Sequence, residues 1–328
     1  MSARVLIQAI IDAAAEADAS AILISSPNQQ PRRFVVTTAD GDSFNLNAYL
    51  WTLTFGGRRR LADEYRIQMT SVRSPLPIDR SGPTVLIGFE PNLRIFAGFD
   101  IQRHRVFTTG SPSVQIDIEA LRTAETEGLA FHRKSNDEIA LGIRPDHLLH
   151  YTLNATAFHK YGSEAVVLTQ LQKAAGLREI KARDIRTLTT ERRRLIQVTS
   201  RLSRLASFRR EVLFAYGHTC AVTRMQLRLV EAAHILPVGA PGSSDHVTNG
   251  VALTPTYHRA FDAGLIYLDE KYEMRINPRR VSDISSLGFG GGLKGFQSPL
   301  GRIFLPPDRR QWPAPDHIRR ANRYRQIT

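Results

Sequence analysis

One cysteine, Cys220, in 328 residues excludes an intrachain disulfide framework and any cysteine-rich zinc cage made by one chain. Its ordinary role is that of a small buried hydrophobe. The sequence also lacks any run of about 18 apolar residues, the length that a membrane-spanning helix needs. The opening, MSARVLIQAIIDAAAEADAS, carries Asp12, Glu16 and Asp18, which a secretory signal does not tolerate. A soluble, cytoplasmic protein is therefore expected, with no membrane partner. Acidic residues are in deficit, 31 against 44 Lys and Arg, for a net charge of +13 and a pI near 10.3. That imbalance argues against a small neutral ligand as the main partner and for a polyanion, nucleic acid first. Hydrophobic content of 42% suits a folded chain, and the length allows two domains.

From about 32 to 118 the sequence reads as strands separated by turns. The turn signals are Ala39-Asp40-Gly41-Asp42 and Glu90-Pro91-Asn92, each between β-branched and aromatic residues, so two hairpins are expected. Leu6, Ile10, Ala13 and Ala17 mark the apolar face of a first helix, and helical patterns recur at 116–127 and 163–176. Residues 1–177 are thus expected to form an α+β domain, a curved antiparallel sheet flanked by helices. Trp51, Tyr49, Phe99 and Phe107 are either core or a stacking surface for an unpaired base.

Positive charge is concentrated rather than spread. Residues 181–216 hold ten Lys or Arg, among them Arg192, Arg193, Arg194, Arg209 and Arg210, against three acids. The stretch 178–205 reads as a basic helical linker, and 206–328 as a second domain opened by a helix with Ser207 as N-cap and Gly217 as its end. Earlier, Arg58, Arg59 and Arg60 follow Gly56-Gly57 in a cationic loop suited to a phosphate backbone.

The stretch EAAHILPVGAPGSSDHVTNGVALTPTYHRAFDAGLI holds His234, Asn249 and His258. Leu229 to Ile235 reads as a strand ended by Pro237. Val251–Leu253 is a second short strand, followed by a helix with Thr254 as N-cap and Pro255 at its first position, closing near Gly264. On that helix His258 and Asp262 stand four apart and share a face, where they could grip one cation.

The three residues, in order and with these elements between them, resemble the HNH nuclease family with its ββα-metal fold. The segment CAVT…AAHILP…NGVALTPTYHRAFDAGLI is most similar to the HNH modules of restriction-type endonucleases. The resemblance implies His234 as general base, His258 as metal ligand, and Asn249 as the residue that holds the loop and orients the His234 ring. A divalent metal is implied, Mg²⁺ foremost with Mn²⁺ as the substitute. Two positions depart from the family pattern. Ala233 stands where many members carry a metal ligand, which leaves Asp262, and less strongly Glu231, to supply that contact. Thr223 stands where the partner of Cys220 in a CxxC pair would be, so no structural zinc is expected. Apolar packing by Val212, Leu213, Leu229, Ile235, Leu253, Phe261 and Leu265 would hold the module instead.

The resemblance implies a metal-dependent DNA endonuclease that hydrolyses phosphodiester bonds. It would be a restriction-type defence enzyme, with modified bases among its candidate targets, acting on double-stranded DNA; because one such site cuts one strand, a homodimer is expected. A catalytically degenerate DNA-binding protein is the competing expectation, and a nonspecific or ligand-activated nuclease is another. The closing segment PAPDHIRRANRYRQIT reads as a basic helix that adds phosphate contacts or covers the core.

Overall fold

The computed structural model describes residues 2–56, 63–108, 110 and 112–327. The chain is mixed α+β and divides into two compact units, Met1–Ala206 and Ser207–Thr328. Among the described residues no helix is long and apolar enough to cross a membrane.

In the first unit the strands are β1 (Ser20–Leu23), β2 (Arg32–Thr37), β3 (Ser43–Thr52), β4 (Thr54–Phe55), β5 (Glu64–Gln68), β6 (Thr84–Glu90), β7 (Ile95–Phe99), β8 (Ser113–Asp117), β9 (Leu129–Arg133) and β10 (Ile139–Ile143). Seven form one sheet in the order β1-β2-β3-β6-β7-β10-β9, and β4-β5-β8 form a second. Both expected hairpins are present. β2 and β3 pair from Thr37↔Ser43 around a turn where Gly41 takes φ +88°, and β6 and β7 pair from Glu90↔Ile95. The buried Glu90 carboxylate closes that second turn by accepting from the Leu93 N–H at 2.6 Å and the Asn92 amide at 3.1 Å.

The sheet is not wholly antiparallel. β3 runs parallel to β6, and the crossover between them carries β4 and β5. The strands β6, β7 and β10 read as continuous apolar runs because both faces of the sheet are covered. On one face lie the helices Ala3–Glu16, Leu148–Tyr161 and Ala165–Ala175, through residues such as Leu6, Ile10, Phe158 and Leu171. The other face packs on the second sheet and the helix Ile118–Glu127. Tyr49, Trp51 and Phe99 are buried in that second layer and Phe107 packs against it. Tyr49 donates its hydroxyl to Pro77 O and Trp51 its ring N–H to Thr70 O, so these rings are core and not a stacking platform.

The stretch 178–205 is no free connector. Ile180, Ile185 and Leu188 pack against the first core, and Leu195 and Ile196 are buried within it. From Thr190 a single helix runs to Ala215, because no Gly or Pro interrupts it. Ser207 therefore lies inside a helix and not at its start, with its hydroxyl donating to Glu211 at 2.9 Å.

The second unit is built on β11 (Glu231–His234) and β12 (Gly250–Leu253), then the helix Pro255–Asp262. A hairpin of Ile266–Leu268 and Glu273–Ile276 follows, and the helix Pro315–Tyr324 closes the chain. Val212, Leu213, Ile235, Leu253 and Phe261 are buried here, with Leu265 packed against them. Leu229 departs from expectation: it is exposed in the turn before β11, which begins two residues later than its apolar sequence implies. Cys220 takes the part of a staple. Its sulfur accepts from the Thr223 N–H at 3.4 Å and from the Thr254 N–H at 3.3 Å, tying the 220–223 turn to the start of the helix Pro255–Asp262.

Candidate active site

β11 and β12 are antiparallel in the register Glu231↔Leu253, Ala233↔Val251 and His234↔Gly250. His234 thus sits at the mouth of the loop that joins them. Opposite it stands Gly250, where an added Cβ would lie 2.2 Å from Val212 Cγ2 and 3.2 Å from the Phe208 ring. The missing side chain lets Phe208 approach and stack on the His234 imidazole, with centroids 3.7 Å apart and planes 13° from parallel.

The other constraint on His234 is Asp245, whose Oδ1 lies 3.1 Å from Nε2. A carboxylate only accepts, so Nε2 carries the proton and Nδ1 the lone pair. Burial lowers the pKa of His234 from its ordinary value, and the opposing pull of Asp245 does not cancel that effect. The ring is therefore neutral at pH 7 and able to take a proton.

Asn249 is fully buried and is spent on the loop. Its Oδ1 accepts from the Leu236 N–H at 2.8 Å, and its Nδ2 donates to Leu236 O at 3.1 Å and Ser244 O at 2.9 Å. Its own carbonyl accepts from the Ile235 N–H at 2.8 Å. Two tasks were expected of this amide, the loop and the His234 ring. The geometry gives it the loop, and the ring goes to Asp245.

His258 leaves the helix Pro255–Asp262 between two carboxylates. Nδ1 lies 2.7 Å from Glu231 Oε2 and Nε2 lies 3.3 Å from Asp262 Oδ2. If Nδ1–H donates to Glu231, Nε2 and Asp262 are both acceptors, a pairing that either a ring proton or a bound cation satisfies. Ala233 faces the core, fully buried, so position 233 offers no ligand, while Glu231 reaches His258 from the start of the same strand. Asp262 also raises, and His258 lowers, the proton affinity of His234.

Among the described residues no three His, Cys, Asp or Glu side chains are gathered into a metal cage. The donors present, one imidazole nitrogen and one carboxylate with Glu231 behind the ring, fit a cation that keeps most of its shell as water and substrate oxygen.

The cationic residues fare differently. Arg58, Arg59 and Arg60 lie outside the described residues. Arg192 is engaged within the first unit: it forks onto Glu164, at 2.7 and 2.5 Å, and covers the Tyr161 ring. Arg193 is half-buried, Arg194 is exposed, and Arg209 and Arg210 are half-buried and exposed on the same helix. Two site residues, Phe208 and Asp245, escaped the sequence reading. The only signal for Asp245 was an acid in a Gly- and Ser-rich loop, four residues before Asn249.

Residues 220–269 match the family model described as HNH endonuclease, and residues 44–152 match the one described as Methylase-associated X1. No curated protein matches the chain. Among solved structures it is similar to one titled "Modification dependent TagI restriction endonuclease", at 14% identity over 90% of this chain and 85% of that one, with a TM-score of 0.29. That likeness carries no argument about activity.

Proposed function

We propose that this chain, whose C-terminal unit carries an HNH endonuclease domain, is a metal-dependent restriction-type DNA endonuclease: that unit cuts, and the N-terminal unit selects the DNA. The observation that carries the reading is a neutral His234 oriented by Asp245, beside a His258 flanked by Glu231 and Asp262. Hydrolysis of a phosphodiester needs a water deprotonated close to phosphorus, and His234 Nδ1 is the acceptor for that proton. His258 and Asp262 would hold a divalent ion, Mg²⁺ or Mn²⁺, and Glu231 fixes the His258 ring. When bound, that ion stabilises negative charge on the phosphate and on the departing oxygen. Asn249 keeps the loop, and with it Asp245, in place.

Recognition is assigned to the first unit because its matched family is described as methylase-associated. A cutter joined to such a domain suits discrimination between modified and unmodified DNA, modified cytosines included. One such site cuts one strand, so duplex cleavage calls for two copies, and a homodimer on DNA is part of the proposal.

The test is cleavage of plasmid and phage DNA, unmodified and with modified cytosines, with Mg²⁺ or Mn²⁺, by wild type and His234→Ala. Metal-dependent cutting that the variant loses supports the reading, and the preferred DNA identifies what the first unit selects. Tight binding without cutting would instead make Ala233 decisive and favour a DNA-binding protein that has lost catalysis.

A further inference from the structure

Arg325 lies well outside the segment that matches the nuclease family, at the end of the helix Pro315–Tyr324, whose Ile318 and Ala321 are buried in the second core. Its Nη1 donates to Ile235 O at 2.7 Å, one residue beyond His234. Its guanidinium lies over the Phe261 ring, 4.6 Å from the centroid and one residue before Asp262, and it feels the Asp262 charge. Nη2 is buried with no hydrogen-bond partner among the described residues. A partly buried guanidinium with an unanswered N–H is a costly way to hold a helix to a core, where an apolar side chain would serve better. What arginine adds is a fork that bonds at one edge while its plane stacks on a ring.

The same helix grips the loop that holds Asp245 and Asn249. Arg320 Nη2 donates to Pro241 O at 3.2 Å, and the Ala314 N–H donates to Thr248 O at 2.9 Å. Gly242, at φ +75°, lies against the Arg320 guanidinium, where an added Cβ would stand 2.1 Å from Nη2. Ile235 is therefore held from two sides, by Asn249 at its N–H and by Arg325 at its carbonyl.

We propose that Arg325 is a positioning residue: it ties the end of β11, which carries His234, to the helix that carries His258 and Asp262, and so sets the spacing of base and metal ligands. This rests on the nuclease reading above. Misplacement of a reacting group by about 1 Å costs about a hundredfold in rate.

The experiment uses the full chain as wild type, Arg325→Met, Arg325→Lys and Arg319→Met, the last an exposed arginine of the same helix paired with Glu270. Nicking kinetics, melting temperature and spectra of ¹⁵N-labelled histidines are recorded for each. Arg325→Met should lower kcat by about 10- to 100-fold, with KM for DNA within about twofold, and should shift the His234 and His258 resonances. Arg325→Lys should recover part of the rate, since an ammonium restores the bond to Ile235 but not the stacking. Arg319→Met should behave as wild type. Unchanged kcat, or a raised KM at constant kcat, would overturn the proposal, the second by making Arg325 a phosphate contact. If Arg325→Met does not fold, Arg325→Lys decides, with wild-type kcat and unmoved resonances counting against. If wild type cuts nothing, the nuclease reading falls and the resonances alone decide: shifted His234 supports the tie, and unmoved His234 ends it.

Discussion

Of the ten histidines, five in each unit, two buried ones of the first and two of the second show what the partners of a histidine decide. In the first unit His150 and His159 are 5% and 7% exposed. His150 bonds the Thr199 hydroxyl at 3.1 Å and the Asn154 amide at 3.2 Å, and His159 bonds the Tyr151 hydroxyl at 2.9 Å and Ile139 O at 2.8 Å. In the second unit the side chains of His234 and His258 keep 12% and 24% exposure, and their partners are carboxylates. Neutral partners and full burial make a histidine a polar spacer that fixes a packing arrangement. A carboxylate on one nitrogen and access at the other suit a histidine to act as a base or a ligand. The difference lies in the partners and not in the residue.

The largest expected effect tests that contrast directly. His234→Ala should lower the rate of DNA nicking by about two to four orders of magnitude, the usual share of a general base, while leaving the melting temperature close to wild type. His159→Ala should do the reverse, destabilising the first unit while the rate per folded molecule stays within about twofold. Equal losses of rate in both variants would erase the distinction. Gly250→Ala comes next. Its Cβ would stand 2.2 Å from Val212 Cγ2 and push Phe208 off the His234 ring, so it should cost about 1–3 kcal/mol of stability in the second unit. Urea unfolding measures the loss, and a fall in kcat shows that the stacked ring positions the base.

Acid separates the units in another way. Burial pushes the pKa of His150 down to about 3, against an ordinary value of 6.5. Below pH 6.5 the unfolded ring takes up a proton that the folded ring refuses, so stability present at neutral pH is lost as the pH falls towards 3. By pH 5 the first unit should be weaker by about 2 kcal/mol. Burial also lowers His159, in the same direction. Urea titrations at pH 7 and pH 5, followed by Trp51 fluorescence in a Trp312→Phe background, measure it. A midpoint that does not move would show that the buried rings find solvent.

Most of the nuclease unit was legible because its signals are local. Thr254-Pro255 starts a helix, Asn249-Gly250 closes a loop, and His258 and Asp262 share a helical face at a spacing of four. The partners of His234 were not legible, since Asp245 reaches it across a loop and Phe208 from a helix 26 positions earlier, contacts that periodicity does not encode. Ser207 misled for a local reason: it has the chemistry of an N-cap, but nothing breaks the helix before it. The parallel pairing of β3 with β6 was hidden likewise, because the crossover contains two strands of another sheet and resembles a run of hairpins. Tyr49 and Trp51 were ambiguous because base-stacking and core positions use the same residue types, and only burial separates them.

The smallest effect is the most discriminating. Asp245 holds His234 in one tautomer and supplies negative charge that opposes the downward shift caused by burial. Asp245→Asn keeps an oxygen that can accept the Nε2–H but removes the charge. Because Asp245 is partly exposed, solvent screens it, and the loss should be near tenfold in kcat, about 1.4 kcal/mol. The pH profile then distinguishes two roles. Without the carboxylate, His234 binds its proton less tightly, so the acid limb of kcat/KM should move to lower pH while the plateau falls. If Asp245 served only to hold the loop, as Asn249 does, the substitution would lower the melting temperature and leave the acid limb in place. A shifted limb with an unchanged melting temperature would assign Asp245 to the base.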